Sequence, residues 1–161
     1  MHRREAVLGL ASVALLASAY AAGETQLQPV ADLQALATES ARSGAPLIVL
    51  FSTPGCPYCR EVRESYLAPR LAEQRQRPAP QYLLREVDIT SRRPIGQVDG
   101  RAVTEAQFAD RNGVRLVPVL IAFDAQWRPL GPPLVGLDRA GFYESYLERL
   151  IGDALSARAG R

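Results

Sequence analysis

Two patterns of apolar residues alternate along the first half of the chain, one with the spacing of a helix and one continuous. The helical pattern covers residues 29–44 and returns from Pro57 to about Gln76, where Pro69 is expected to kink or interrupt the helix. Between them, PLIVLFS (46–52) is a short continuous apolar run, which is typical of a strand buried on both faces of a sheet. The first half therefore predicts a helix, a strand and a second helix. On the second helix, the residues expected to face water are Arg60, Glu61, Arg63 and Glu64.

The second half of the chain continues the alternation of helices and strands. Its predicted elements are a strand at 81–89, a loop at 90–103, a short helix at 104–113, strands at 117–124 and around 130–135, and a helix from Asp138 to about Leu155. The apolar face of the last helix is assigned to Phe142, Tyr146, Leu147, Leu150 and Ile151. This order indicates an α/β fold with a central mixed sheet of about four strands and helices on both faces.

The N-terminal segment has the pattern of a cleavable secretory signal peptide, assigned to residues 1–22. Arg3 and Arg4 precede an apolar run that ends in small residues around Ala21. The alternative is a membrane anchor, but a run of about 14 residues is short of the roughly 20 that span a bilayer. We therefore expect a soluble exported protein in a compartment where disulfides persist, with the Sec and twin-arginine routes both open. Residues 23–161 then form one domain, with its core at about 29–152.

The composition excludes several kinds of site. The only histidine is His2, so a histidine base and a zinc site of cysteine and histidine have no candidates in the body of the chain. All 19 basic residues are arginine, which excludes lysine catalysis. Because these arginines are spread and the net charge is +2, a nucleic-acid partner is not expected.

The only two cysteines, Cys56 and Cys59, lie where the predicted strand meets the second helix. If that helix begins at Pro57, Cys56 is its N-cap, where free N–H groups and the helix dipole favour a thiolate. Cys59, one turn inside, would face the core and could attack a mixed disulfide formed by Cys56. Two other interpretations remain open: an inert structural disulfide or thiol pair, and metal binding between two chains.

The sequence resembles the thioredoxin superfamily. The resemblance rests on Cys-Pro-Tyr-Cys (56–59) after an apolar strand and on GVRLVPVLIAFD (113–124) some sixty residues later. With the signal-like N-terminus and the long loop before Val117-Pro118, it is most similar to periplasmic thioredoxin-related proteins of the SoxW-like kind. The resemblance implies a thioredoxin-like fold and a periplasmic location.

The same resemblance implies roles for particular residues. Pro118 is expected to be a cis-proline facing the N-terminus of the Cys56 helix, the alternative being a trans proline that opens an edge strand. The backbone of Val117 would pair with a bound peptide, and Pro57 and Tyr58 would contact partner proteins. No cofactor is implied, because electrons pass through the Cys56–Cys59 disulfide itself.

Three positions depart from thioredoxins proper. Gly55 stands where those proteins carry tryptophan, and Leu50 stands where they carry a buried acid. Glu86 replaces the lysine that accompanies that acid. It is either a proton acceptor for Cys59 or an exposed glutamate at a strand end. Cys-Pro-Tyr-Cys also occurs in glutaredoxins, but the N-terminal pattern and the absence of a Gly-Gly-Asp motif after the Val117-Pro118 strand favour the thioredoxin-related group.

These observations predict an exported thiol–disulfide oxidoreductase. Cys56 is the attacking thiol and Cys59 the resolving thiol. The expected partners are disulfides of other exported proteins and a membrane electron donor for re-reduction, and the chain is expected to be a monomer. Two alternatives stay open: an oxidase that donates its disulfide, and a peptide-binding or chaperone-like module without turnover.

Overall fold

The computed structural model describes residues 26–98 and 100–159. The predicted signal peptide lies outside these residues. The strands are β1 (Gln28–Pro29), β2 (Leu47–Ser52), β3 (Leu83–Asp88), β4 (Pro94–Val98), β5 (Arg101–Thr104), β6 (Val119–Phe123) and β7 (Leu134–Val135). The helices are α1 (Leu33–Ser43), α2 (Pro57–Glu61), a π-helical turn (Val62–Leu67), α3 (Ala68–Arg75), α4 (Glu105–Arg111) and α5 (Tyr143–Ala159). No helix among the described residues is long and apolar enough to cross a membrane.

The main sheet has five strands in the order β1-β3-β2-β6-β7. Strands β1, β3 and β2 are parallel, whereas β6 is antiparallel to both β2 and β7. The prediction of a mixed sheet is therefore confirmed, with the two-residue β1 as an additional edge strand. The first helix was predicted to begin at residue 29, but it begins only at Leu33. Its N-cap is Asp32, whose carboxylate accepts from the Ala35 N–H at 2.8 Å.

The central strand β2 divides the core into two layers. All six of its residues are buried. Val49 and Phe51 belong to a cluster that includes residues of α1 and α4, whereas Ile48 and Leu50 belong to a cluster with residues of α5 and the π-helical turn. Alternate side chains of a strand point to opposite faces, so the continuous apolar run reflects burial on both sides. The predicted placement of helices on both faces is confirmed.

The segment predicted as a loop at 90–103 is instead largely a hairpin, β4–β5, with Ile95 and Val103 buried. That prediction was wrong because it overlooked Asp99-Gly100, a dipeptide typical of two-residue hairpin turns. Gly100 has φ +74°, a value that glycine adopts without a steric cost.

The helix predicted from Pro57 to about Gln76 changes type before Pro69. The Ala68 N–H donates to the Arg63 carbonyl, five residues earlier, within the π-helical turn. Proline has no N–H to donate and its ring would clash with the carbonyl four residues before it in a regular α-helix. The wider turn therefore lies where the sequence predicts an interruption.

The last helix begins at Tyr143, five residues later than predicted. The carboxylate of Asp138 accepts from the N–H groups of Ala140 and Phe142 in the turn before the helix. Phe142 and Tyr146 are 57% and 43% exposed, so their assignment to the apolar face was wrong. The buried positions of α5 are Tyr143, Leu147, Leu150 and Ala154. They recur at helical spacing, and the buried face is rotated away from the predicted one.

Candidate active site

A tight turn connects β2 to the helix that carries the cysteines. The Cys56 N–H donates to the Thr53 carbonyl at 3.4 Å, which closes the four-residue turn Thr53–Cys56. Pro54 occupies its second position, and Gly55, with φ +75°, its third. Proline followed by a residue with positive φ is the requirement of a type II turn. Gly55, which departs from the tryptophan of thioredoxins, is therefore the residue that this turn needs.

Cys56 is the N-cap of α2, and Pro57 is its first residue, as predicted. The Cys56 Sγ accepts from the Cys59 N–H at 3.1 Å, and the Cys56 carbonyl accepts from the Arg60 N–H at 3.1 Å. The two cysteines form a disulfide with their Cα atoms 5.3 Å apart. Cys56 is half-buried, whereas Cys59 is completely buried. An incoming group can therefore reach Cys56 but not Cys59.

The Val117-Pro118 peptide bond is cis, as predicted. Phe51 of β2 pairs with Val119 of β6, so Pro118 lies across from Ser52 at the end of β2 that leads to Cys56. The Pro118 carbonyl accepts from the Gly136 N–H at 2.8 Å. The chain segment after β7 is thereby drawn to the same end of the sheet.

Val117 presents an unpaired stretch of backbone at this end of the sheet. It is half-buried, and neither its N–H nor its C=O hydrogen-bonds to another described residue. Pro57 and Tyr58 are exposed, Tyr58 by 47%. Unpaired backbone groups beside an apolar surface are the features with which proteins bind an extended peptide as an added strand.

Glu86 lies on β3 directly beside Leu50 of β2. Its side chain is 19% exposed. Its Oε1 accepts from the Ser52 hydroxyl and lies 3.2 Å from the Arg63 Nε. The interpretation of Glu86 as an exposed glutamate is therefore wrong, as is the expectation that Arg63 faces water. The carboxylate also lines an open cleft of about 270 Å³, which Thr53 of the active-site turn lines as well.

Residues 33–150 match the family described as a thioredoxin-like domain. The chain belongs to this family. No curated protein sequence gives a significant match.

Solved structures show the same fold as this thioredoxin-like domain. Trichomonas vaginalis thioredoxin has a TM-score of 0.52 and 16% identity, over 80% of this chain and 96% of that one. Fasciola hepatica thioredoxin has a TM-score of 0.50 and 17% identity, over 78% of this chain and 97% of that one. A poplar thioredoxin h mutant has a TM-score of 0.51 and 16% identity, over 74% of this chain and 73% of that one. At these identities the likeness shows the fold, and the finer resemblance to SoxW-like periplasmic proteins stays a prediction.

The sequence did not reveal two side chains that hold Glu86 in this thioredoxin-like domain. Ser52 ends an apolar run and was assigned only to a strand, and Arg63 was assigned to the solvent face of a helix. One signal was available for Arg63: it follows Cys59 by four residues, which places the two on the same side of a helix. Among the described residues, no three histidine, cysteine, aspartate or glutamate side chains come together as a metal site.

Proposed function

We propose that this thioredoxin-like protein is an exported thiol–disulfide oxidoreductase that reduces disulfides in other exported proteins. The observation that carries the proposal is the unequal placement of the two sulfurs. Cys56 is partly accessible at a helix N-cap, and Cys59 is buried one turn behind it. An exchange reaction needs this asymmetry, because one sulfur must meet the partner and the other must wait to release it.

The reaction begins from the reduced pair. The Cys56 thiolate attacks one sulfur of the target disulfide, forms a mixed disulfide and releases the other target sulfur as a thiolate that takes up a proton. The Cys59 thiolate then attacks the Cys56 Sγ, re-forms the Cys56–Cys59 bond and releases the second target thiol. Two electrons pass to the target, and the protein is left oxidised. The helix N-terminus favours the thiolate form of Cys56 in the first step.

The partner chain docks beside the disulfide in an extended conformation. The free N–H and C=O of Val117 are the groups that would pair with it, and Pro118 fixes the position of this segment against β2. Pro57 and Tyr58, both exposed next to Cys56, would contact the same partner chain. Docking in this way would hold a target sulfur near the accessible Cys56.

Glu86 is proposed as the proton acceptor for Cys59. Its carboxylate is held by Ser52, which ends the strand leading to Cys56, and by Arg63, one turn beyond Cys59. The adjoining cleft gives the carboxylate a route to exchange its proton with solvent. Leu50, which stands in the position of the thioredoxin acid, cannot serve this purpose.

The location and the electron source are part of the same proposal. The N-terminal pattern supports export to the periplasm, where a membrane electron donor would re-reduce the Cys56–Cys59 disulfide after each turnover. Because the electrons pass through these two sulfurs, the reaction needs no bound cofactor.

Reduction of a model protein disulfide by the pre-reduced protein tests the proposal. Cys56→Ser should abolish the reaction, whereas Cys59→Ser should accumulate a mixed disulfide that is visible on a non-reducing gel. If Cys56→Ser retains full peptide binding and the wild type shows no turnover, the protein is a binding module. If the wild type transfers its disulfide to reduced substrates but does not reduce oxidised ones, it is an oxidase.

A further inference from the structure

Five large apolar side chains are exposed among residues 26–98 and 100–159: Tyr58, Leu116, Val135, Phe142 and Tyr146. The first three lie in segments at the end of the sheet that holds Pro118 and the active-site turn. Tyr58 stands between the cysteines, Leu116 directly precedes Val117, and Val135 pairs with Val119 and is followed by the Gly136 that bonds to Pro118. Their exposures are 47%, 55% and 55%. Exposed apolar side chains gathered in one place indicate a binding surface.

Four exposed arginines lie in or beside the segments that carry these apolar side chains. Arg60, Arg115 and Arg139 lie in the same three segments, and Arg92 follows Thr90, whose hydroxyl is 3.5 Å from that of Thr53 in the active-site turn. All four arginines are exposed, and none forms an ion pair with a described residue. Their positive charges are therefore free to interact with a partner.

The carboxylates in these segments offset only part of that charge. Both oxygens of Asp138 accept backbone N–H groups in the turn before α5. Glu61 and Glu64 lie on the helix beyond Arg60, further from Cys56 than the N-cap turn. The surface beside the disulfide thus has apolar side chains at its centre and four exposed arginines at its rim, against two exposed carboxylates, Glu61 and Glu64.

We propose that the substrates are protein segments in which the target cysteine lies among large apolar and acidic residues. This inference rests on the proposed oxidoreductase function and specifies its substrate class. The segment binds as an extended strand along Val117, with an apolar side chain against Tyr58 and Leu116 and acidic side chains towards Arg60, Arg115 and Arg139. Complementary charge at the rim accelerates encounter and selects against basic partners.

The test compares two disulfide-linked peptides that are identical except at the positions flanking the cysteine, which are glutamate in one and lysine in the other. The wild type should reduce the acidic peptide with a kcat/KM at least about tenfold higher at low salt, and the ratio should shrink as salt screens the charges. The triple variant Arg60→Gln, Arg115→Gln, Arg139→Gln should lose the preference. The matched control replaces the exposed, distant Arg75, Arg77 and Arg149 with glutamine and should keep it.

A second pair of variants tests the apolar centre. Leu116→Ser should lower kcat/KM for the acidic peptide several-fold, whereas Tyr146→Ser, which removes an exposed ring from α5, should leave it unchanged. Tyr146→Ser should also reduce the small neutral disulfide of 2-mercaptoethanol at the wild-type rate, because its ring lies outside the proposed binding surface.

The neutral disulfide separates the two proposals. If the wild type reduces it but treats the two peptides equally, or favours the lysine peptide, the substrate class is wrong and the oxidoreductase function stands. If the wild type reduces neither the neutral disulfide nor any peptide, the proposed function fails and the inference fails with it.

Discussion

Glu86 occupies an unusual place for an acid in this active site. The carboxylate lies on β3 between Ser52 and Arg63, whereas the neighbouring β2 position is the apolar, fully buried Leu50. Cys59 must lose its proton before it can attack the mixed disulfide, and a carboxylate positioned near a thiol can accept that proton. We propose this task for Glu86.

Glu86→Gln should slow the release of the mixed disulfide about tenfold or more at pH 7, since proton transfer by a positioned group contributes at least this much. The rate should recover at pH values above about 8.5, where an ordinary thiol loses its proton unaided. Stopped-flow fluorescence across this pH range measures the rate at which the mixed disulfide is released. Glu39→Gln is the matched control because it also breaks a glutamate–arginine pair with an N–O distance of 3.2 Å, to Arg85. Parallel pH profiles for the two variants would contradict the role of Glu86.

Tyr143 is a buried phenol whose hydroxyl has no hydrogen-bond partner among the described residues. Its ring packs on Tyr66, with centroids 4.6 Å apart. Burial, followed by the nearby Tyr66, raises the pKa of Tyr143 above the ordinary value of 10.0. The folded protein therefore keeps this proton at pH values where the unfolded chain releases it.

Tyr143→Phe should leave the free energy of unfolding at pH 7 within about 1 kcal/mol of the wild type, because removing an unpaired buried hydroxyl is close to neutral. The contribution of the raised pKa is fully present below pH 10 and is lost as the pH rises further. The variant should therefore lose less stability than the wild type between pH 9 and 11. Urea unfolding of both proteins at pH 7, 9 and 11 measures these free energies. A clear loss of stability at pH 7 would mean that the hydroxyl makes a stabilising bond.

At the scale of elements, α1 depends on a specific N-terminal cap. Its first N–H groups have no partner within the helix, and the Asp32 carboxylate accepts one of them, from Ala35. Gly44, with φ +66°, ends the helix. The sequence predicts this end correctly but places the start too early, because Val30 continues the apolar spacing although it lies beside β1.

Asp32→Ala should destabilise the protein by about 1 kcal/mol, the usual effect of losing such a cap. Asp32→Asn keeps an oxygen that can accept the same N–H and should cost much less. Thermal unfolding of the three proteins at neutral pH compares them. Equal losses in both variants would show that the charge of Asp32, and not its cap, stabilises the helix.

The hairpin and the last helix show where sequence patterns are weak at this scale. The buried residues of the hairpin, Ile95 and Val103, have only proline, glycine, alanine and threonine as immediate neighbours, so the segment has little periodicity of its own. The turn signal Asp99-Gly100 was its best indication. For α5, several faces are apolar enough to be buried, and the one that is buried carries Tyr143, whose ring packs against Tyr66.

At the scale of the whole molecule, the sheet order assembles the candidate site. Cys56, Pro118 and Gly136 are up to eighty residues apart in sequence, and they lie at the same end of the sheet because β2, β6 and β7 are neighbours. Periodicity predicts strands but not which strands pair. The resemblance supplied the pairing of Cys56 with Pro118, whereas the contact of Pro118 with Gly136 and the group around Glu86 required the structure.

The central claim is that Cys56 and Cys59 form an exchange-active couple that reduces other disulfides. A disulfide that closes so short a loop adds little to stability, which favours the proposed redox role over a structural one.

Equilibration with glutathione buffers, followed by trapping of the free thiols, measures the reduction potential of this couple. We expect a value between roughly −270 and −220 mV, the range of reducing members of the superfamily. A value near roughly −120 mV would reverse the direction and make the protein a disulfide donor. A pair that never equilibrates with glutathione would contradict the oxidoreductase account itself.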